Sequence, residues 1–381
     1  MADRSFLSWP FFEARHRELA DKLQDWCDAN VHGHGDDLDE ACRELVRNLG
    51  SAGFLKLCVA DGKHRPDVRS LAICRETLAY HSALADFAFA MQGLGSGAIS
   101  LFGTIEQKRE WLPKVASGEA IAAFAMTEPE CGSDAANMST SALRDGNEWV
   151  LVGEKTYISN GGIADFYLTF ARTGEGEGAR GLSAFIVPGD AVEVAERIEV
   201  VSPHPLARLK YDNTRIPADA IVGEPGEGFR IGMETLNLFR VTVGAAALGF
   251  ARRALDEALS FAKGRRLGSG TLADNAVTQA KLADMALAVD ASALLIYCAA
   301  WQQDEGGVDN RRAAAMAKLQ ATESAQQVID AAVQMHGGAG VTRGVKVEEL
   351  YRDIRSLRIY EGASEVQRQI IARDLLKGGN G

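Results

Sequence analysis

The chain has 381 residues, 46% apolar and 24% charged, the profile of an ordinary soluble globular protein with two or three domains at about 150 residues each. Its 41 basic and 52 acidic residues give a net charge of −11, which excludes nucleic-acid or anionic-membrane binding through bulk charge but leaves room for a local cationic site for a phosphorylated ligand. The six cysteines (Cys27, Cys42, Cys58, Cys74, Cys131, Cys298) form no CxxC or CxxH pair, which argues against a zinc site and for a reducing compartment. No continuous apolar run predicts a membrane span. Met1 to Glu13 resembles neither a signal nor a transit peptide, so a cytoplasmic location is expected.

From Phe11 to about Ala123 the texture is helical. Phe12, His16, Leu19, Leu23 and Trp26 recur at spacings of three and four. The same periodicity predicts helices over Leu38–Leu49, Leu71–His81 and Glu106–Val115, the last with Trp111 and Leu112 on its apolar side. Between Phe124 and about Gly228 the texture turns β-branched and aromatic. Strands are predicted over Glu148–Ser159, after the Asp145-Gly146 turn pair, and over Phe166–Ala171, Leu182–Val187 and Leu209–Ile216. Short strands with turn signals and no intervening helix predict a small β-barrel or sandwich. Gly223–Gly228 (GEPGEG) reads as a linker. Long Ala/Leu-rich helices follow over Arg230–Arg266, Val277–Asp304, Arg311–His336 and Ser364–Lys377, a pattern that predicts a helical bundle. The boundaries expected are therefore 1–123, 124–228 and 229–381.

Three motifs look chemical and are read otherwise. Gly176 to Gly181 matches GxGxxG but lies between two strands, so a solvated loop is expected rather than a dinucleotide turn. His336 precedes Gly337-Gly338 at a helix end, where it is expected to cap the last carbonyls. Ser133 has no GxSxG around it and no nearby His–Asp pattern, so a serine hydrolase is not indicated. Taken alone, Glu361 reads as a first-turn acid of the last helix, with Ser364 and Gln367 forming a capping box.

Two longer segments stand above this background. One is Phe124-Ala-Met-Thr-Glu-Pro-Glu-Cys-Gly-Ser-Asp134, followed by Lys155-Thr-Tyr-Ile-Ser-Asn-Gly-Gly162. The other is Gln334-Met-His-Gly-Gly-Ala-Gly340, leading to Tyr351-Arg-Asp353 and Arg358-Ile-Tyr-Glu-Gly-Ala-Ser-Glu-Val-Gln-Arg368. With Gly103–Lys108, Ser117–Glu119, Gly226–Phe229, Arg265–Gly268 and Lys281–Met285, they closely resemble the acyl-coenzyme A dehydrogenase family of flavoenzymes. The resemblance is strong over residues 100–376 and only a helical texture before that. It implies a mainly α fold with a central β domain: an N-terminal α-helical domain, a β-barrel middle domain and a C-terminal four-helix bundle.

The resemblance implies FAD as cofactor, an acyl-CoA substrate and an electron-transfer flavoprotein as acceptor, in a homotetramer or homodimer. No nucleic acid or membrane partner is expected. Glu361 corresponds to the family's catalytic base, which takes the α-proton of the acyl thioester while flavin N5 takes the β-hydrogen as hydride, giving the trans-2-enoyl-CoA. Gly362 leaves room for close backbone approach. In some relatives the base precedes the arginine of the first bundle helix, but here that position is Phe239. Met126 and Thr127 resemble contacts to the isoalloxazine edge. Ser133 resembles a contact to the pyrophosphate and to the substrate's phosphates, and Tyr157 an aromatic stacked on the flavin. Ser159 resembles a hydroxyl donor to N5. Arg265 resembles the arginine that reaches the FAD pyrophosphate of a neighbouring subunit. Gln334, Gly337 and Gly338 resemble adenosine contacts, and Arg240 a residue near the CoA moiety. There is no metal in this scheme.

Several departures bear on specificity. Ala363 stands where threonine or serine is usual, Arg265-Arg-Leu-Gly268 lacks a phenylalanine, and Asn237 stands where aspartate is common. Ser202-Pro-His-Pro-Leu206 and Asp61-Gly-Lys-His-Arg65 replace characteristic loops. The alternatives expected are therefore an acyl-thioester oxidase, a dehydrogenase for an acyl group on a carrier protein, or a non-catalytic thioester- or flavin-binding relative.

Overall fold

The computed structural model describes residues 3–33, 35, 37–60, 65–306 and 309–378. Most of the Asp61–Arg65 loop thus lies outside the described residues. The helices are α1 (Ala14–Asn30), α2 (Leu38–Ser51), α3 (Val68–His81), α4 (Ala83–Phe102), α5 (Ile105–Ser117), α6 (Gly228–Gly264), α7 (Ala276–Glu305), α8 (Arg311–His336), α9 (Lys346–Leu357) and α10 (Ser364–Leu376). By packing, the chain divides into one unit of Met1–His32, Asp67–Asp86 and Arg240–Gly381, and another of Gly33–Pro66 and Phe87–Phe239.

The first unit is helical. Its bundle pairs α7 with α8 and α8 with α10, and α3 packs on both α1 and α7. α3 is buried on nearly every face, including Arg69, Arg75 and Glu76. Such charges persist inside only when paired. Arg69 donates through Nε to Asp304 of α7 at 2.8 Å. Arg75 makes a two-pronged bond to Asp86, both arms 2.8 Å. Glu76 meets Arg252 of α6 at 2.6 Å and accepts from the Tyr297 hydroxyl. α6 approaches α3 at Gly249, where a Cβ would collide with the Glu76 carbonyl and touch the Ala79 Cβ at 3.0 Å. Helix α7 is long and apolar enough, by length and composition, to cross a membrane. It is built into the bundle against α8 and α3.

The second unit centres on an eight-stranded sheet. Its strands are β1 (Ala122–Ala125), β2 (Ser141–Asp145), β3 (Glu148–Ser159), β4 (Phe166–Arg172), β5 (Leu182–Pro188), β6 (Glu193–Arg197), β7 (Leu206–Pro217) and β8 (Ile221–Val222). They run in the order β6-β7-β3-β2-β4-β5-β8, with β1 alongside β4. β2 meets β4 only where Ser141 faces Arg172, so the expected barrel consists of two halves joined at one bridge. A hairpin joins β2 to β3 with Gly146 at φ +60. The GxGxxG segment lies between β4 and β5 as a loop with a short 3₁₀ turn, as expected. Gly223–Gly228 is no free linker, because the Ser183 hydroxyl binds the Gly226 N–H at 2.9 Å and α6 already begins at Gly228.

Two helices lack a periodic signal of the expected kind. α4 is buried almost throughout from Ala88 to Ser100, so it has no polar face to mark a period. α9 is amphipathic but short. The capping box expected at α10 does not form. Its N-cap is Ala363, which has no side-chain bond, and the Ser364 hydroxyl instead donates to Glu323 at 2.5 Å.

The tight α3–α6 approach yields one prediction. Gly249→Ala forces the two backbones apart and lowers unfolding stability by about 1–3 kcal/mol, measurable by urea denaturation.

Candidate active site

Glu361 sits in the turn between α9 and α10, at φ +51, and Gly362 follows at φ +90. A non-glycine residue in the left-handed region costs roughly 1–3 kcal/mol and persists only where its surroundings hold it there. Here they do. The Gly362 carbonyl accepts from Lys318 Nζ of α8 at 2.9 Å and from Gln367 Nε2 of α10 at 2.8 Å. The φ of +90 favours glycine here, and a Cβ on residue 362 would displace that Gln367 nitrogen, 2.5 Å away.

Glu361 is half-buried as a residue, but one of its carboxylate oxygens is enclosed. Its Oε2 is buried without a hydrogen-bond partner. Burial pushes its pKa up. Arg75, Lys318 and Arg240 pull it back down, and Asp86 adds to the rise. Three cations from three helices therefore act on one carboxylate, with the Arg75 charge shared with Asp86. Arg240, buried on α6, is itself pushed down by desolvation, against the pull of Glu361. The structure thus brings Glu361, Gly362 and Arg240 together. Phe239, one residue before Arg240, lies with its ring against Gly93 and Gly97 of α4 and has no proton-accepting atom.

A second group lies in the sheet unit. Met126 and Thr127 follow β1, and the Thr127 carbonyl accepts from Thr156 N–H at 2.9 Å. Beside Thr156, Tyr157 occupies an irregularity in the β3–β7 pairing. It takes φ +54, and its ring is 62% exposed. Ser159 ends the same strand half-buried, and Ser133 is exposed in the loop after Thr127. An open aromatic face, hydroxyls and backbone on one element suit a flat polar ring system.

A buried pair underlies this group. Lys155 Nζ, wholly enclosed, donates to the Met126 carbonyl at 3.0 Å and to Glu128 Oε1 at 2.8 Å. Glu128 also accepts from the N–H groups of Ser139 and Thr140 at 2.6 and 2.9 Å. Burial alone would raise the Glu128 pKa, but Lys155 and these donors hold it down to about 2. Desolvation pushes Lys155 down to about 8.

The third group lies at the ends of α6 and α8. Phe261 stacks on His336 at 4.2 Å, which brings together the helix turns that carry Arg265 on one side and Gln334, Gly337 and Gly338 on the other. All four are exposed. His336 binds the Ala332 carbonyl through Nδ1 at 2.8 Å, the capping role expected of it.

Sequence reasoning missed Lys318, Arg75, Asp86 and Gln367. For Lys318 a signal existed: it shares a helix face with Ala314, Ala315 and Ala321, all buried, and a lone lysine on an alanine face is an anomaly.

Family profiles match all three parts of the chain: "Acyl-CoA dehydrogenase, N-terminal domain" over residues 13–119, "middle domain" over 123–214 and "C-terminal domain" over 226–376. The chain belongs to the acyl-CoA dehydrogenase family. It is 38% identical over 339 residues to the human mitochondrial short-chain specific acyl-CoA dehydrogenase, covering 87% of this chain and 82% of that protein. The butyryl-CoA dehydrogenase of Megasphaera elsdenii superposes with a TM-score of 0.90 at 30% identity, over 96% of this chain and 99% of that one. A glutaryl-CoA dehydrogenase of Mycobacterium smegmatis, solved in complex with FADH2, gives 0.88 at 28% identity over 97% and 96%. This acyl-CoA dehydrogenase family member is accordingly an oxidoreductase of a fold that uses FAD. The N-terminal match extends the family assignment into the first hundred residues, where sequence texture alone was mute.

The Glu128–Lys155 pair gives a second prediction. Lys155→Met leaves a buried carboxylate without its cation and destabilises the protein by about 3–5 kcal/mol at neutral pH. In the wild type, stability from ionised Glu128 is complete above its ordinary pKa of 4.5 and lost as pH falls toward about 2. In the variant Glu128 gains stability by protonation instead. The gap between the two proteins in urea denaturation therefore narrows from pH 7 to pH 4.

Proposed function

We propose that the protein dehydrogenates a short-chain acyl-CoA to the trans-2-enoyl-CoA with Glu361 as the base. One observation carries this reading: a carboxylate with one oxygen buried and lacking any hydrogen bond, held in a strained backbone conformation among three cations. A carboxylate so desolvated is a stronger base than one in water, because hydration no longer stabilises its charge. Glu361 takes the α-proton, and the electrons of that bond form the new double bond as the β-hydrogen leaves as hydride. FAD, when bound, supplies the acceptor for that hydride. On this reading the Glu361 and Gly362 backbone approaches the thioester, and Arg240 contributes positive charge toward the CoA end.

The residues present suit the cofactor. Tyr157 offers an open aromatic face, with Ser159, Met126 and Thr127 around it, and Ser133 follows in the next loop. Arg265 offers a guanidinium for the pyrophosphate, and Gln334, Gly337 and Gly338 an open backbone for the adenosine end. The short-chain preference rests on the relatives named above, and electron-transfer flavoprotein is the acceptor we assign. The division at 1–123, 124–228 and 229–381 belongs to the same reading.

The test of the base is Glu361→Gln. The variant keeps a yellow, FAD-loaded spectrum, and its bleaching by butyryl-CoA under anaerobic conditions falls by at least a thousandfold, on the order of the loss expected of a general base. Bleaching at the wild-type rate refutes the assignment.

We also propose a homo-oligomer, a tetramer or dimer. Leu287 and Leu294 of α7, seven residues apart and so on one helix face, are 70% and 48% exposed, and Trp301 continues the stripe. A second copy of the chain is the occupant that Arg265 calls for. Replacing Leu287 and Leu294 together with Glu splits the oligomer into smaller species in sedimentation velocity; an unchanged sedimentation coefficient rules this face out.

A further inference from the structure

We propose that Lys318 is a positioning residue for Glu361: it holds the Gly362 peptide in place while setting a buried positive charge beside the carboxylate. The inference rests on the reading of Glu361 as the base. Three observations support it.

The first is the bond itself. Lys318 reaches out of the middle of α8 to the Gly362 carbonyl at 2.9 Å, with a side chain that has no exposed surface. Burying an ammonium is costly unless it is hydrogen-bonded and electrostatically compensated, and a surface lysine would serve α8 equally well for helix formation. The cost has a counterpart in the turn. Glu361 at φ +51 and Gly362 at φ +90 form a conformation that the chain does not adopt spontaneously, and Lys318 and Gln367 are the two side chains bonded to its central carbonyl.

The second is division of labour. Gln367 belongs to α10, which begins two residues after Gly362, so it moves with the turn. Lys318 belongs to another helix. It therefore fixes the turn relative to the bundle, and a base must be fixed relative to what it deprotonates.

The third is charge. The groups facing Glu361 are Arg75 from α3, Asp86 from the start of α4, Arg240 from α6 and Lys318 from α8. Asp86 engages Arg75 with both oxygens, so part of the Arg75 charge is already spent there. Lys318 in turn faces Glu361, Arg240, Glu323 and Glu365. Glu323 is bonded to Arg358 and Ser364. Burial pushes Lys318 down to about 8, and Glu361 opposes that fall, as expected of two groups that keep each other ionised.

The experiment uses the FAD-loaded protein with butyryl-CoA as probe. Lys318→Met matches the side chain in size and preserves the Gln367 bond, and Arg75 and Arg240 still face Glu361, so the fold survives. Removing the cation raises the Glu361 pKa, because the ionised form loses a favourable neighbour. The acid limb of the anaerobic reduction rate then moves up by about one pH unit, and the rate at the optimum falls roughly 10–100-fold. Hydrogen–deuterium exchange of the peptide spanning 358–367 accelerates, with or without cofactor. Lys318→Gln, a neutral donor, restores slow exchange but leaves the acid limb displaced. An acid limb at the wild-type pH in both variants, or unchanged exchange in Lys318→Met, overturns the inference. Glu361→Gln run in parallel keeps the two readings apart: if it still bleaches, the base is elsewhere; if it does not, the Lys318 results stand or fall alone.

Discussion

The proposed chemistry turns on holding one oxygen of a carboxylate out of water without letting it relax. An ordinary glutamate at the start of a helix would settle in the first turn and meet solvent or the free N–H groups there. At Glu361 one carboxylate oxygen is denied both. The turn is wound into the left-handed region, the carbonyl beside it is pinned from α8 and α10, and the side chain points among cations that it does not fully engage. The same economy recurs deeper in the unit, where Arg69, Arg75 and Glu76 of α3 are each matched by a partner from another helix. These pairs are weak as sources of stability, because desolvation offsets most of their attraction. Their effect is to fix which helix lies against which.

The sheet unit solves a related problem with different means. Tyr157 presents its ring to solvent because an irregularity in the β3–β7 pairing turns the backbone to φ +54, not because the strand is short of partners. Below it, Lys155 ties the Met126 carbonyl to Glu128. In both units a buried lysine binds a backbone carbonyl, Met126 in one and Gly362 in the other, and a neutral side chain could make the bond without supplying the charge.

Much of this was legible in the sequence, and the parts that were not have physical reasons. Helices with one wet face, such as α5, announce themselves by period; α4, dry on all sides, does not. The edge strand β6 is exposed at every residue and so lacks alternation. Glu361, Tyr157 and Arg265 were found through ordered motifs, since each lies in a contiguous segment. Lys318, Arg75 and Asp86 escaped because their meaning comes from contacts between segments far apart in the chain. The capping box assigned to Ser364 and Gln367 failed for the same reason: Ser364 answers to Glu323 and Gln367 to Gly362, both choices set by packing rather than by local helix chemistry.

The division of the chain has a consequence for biosynthesis. The helical unit draws on Asp67–Asp86 near one end and on Arg240–Gly381 at the other, so Arg75 leaves the ribosome long before Glu361 does. The intervening stretch, Gly33–Pro66 with Phe87–Phe239, is complete well before the last helices emerge, and domains tend to fold as units when they can. A nascent chain therefore completes the sheet unit before Glu361 is made. On the reading of Glu361 as the base, a product that ends before it cannot carry out the proton abstraction.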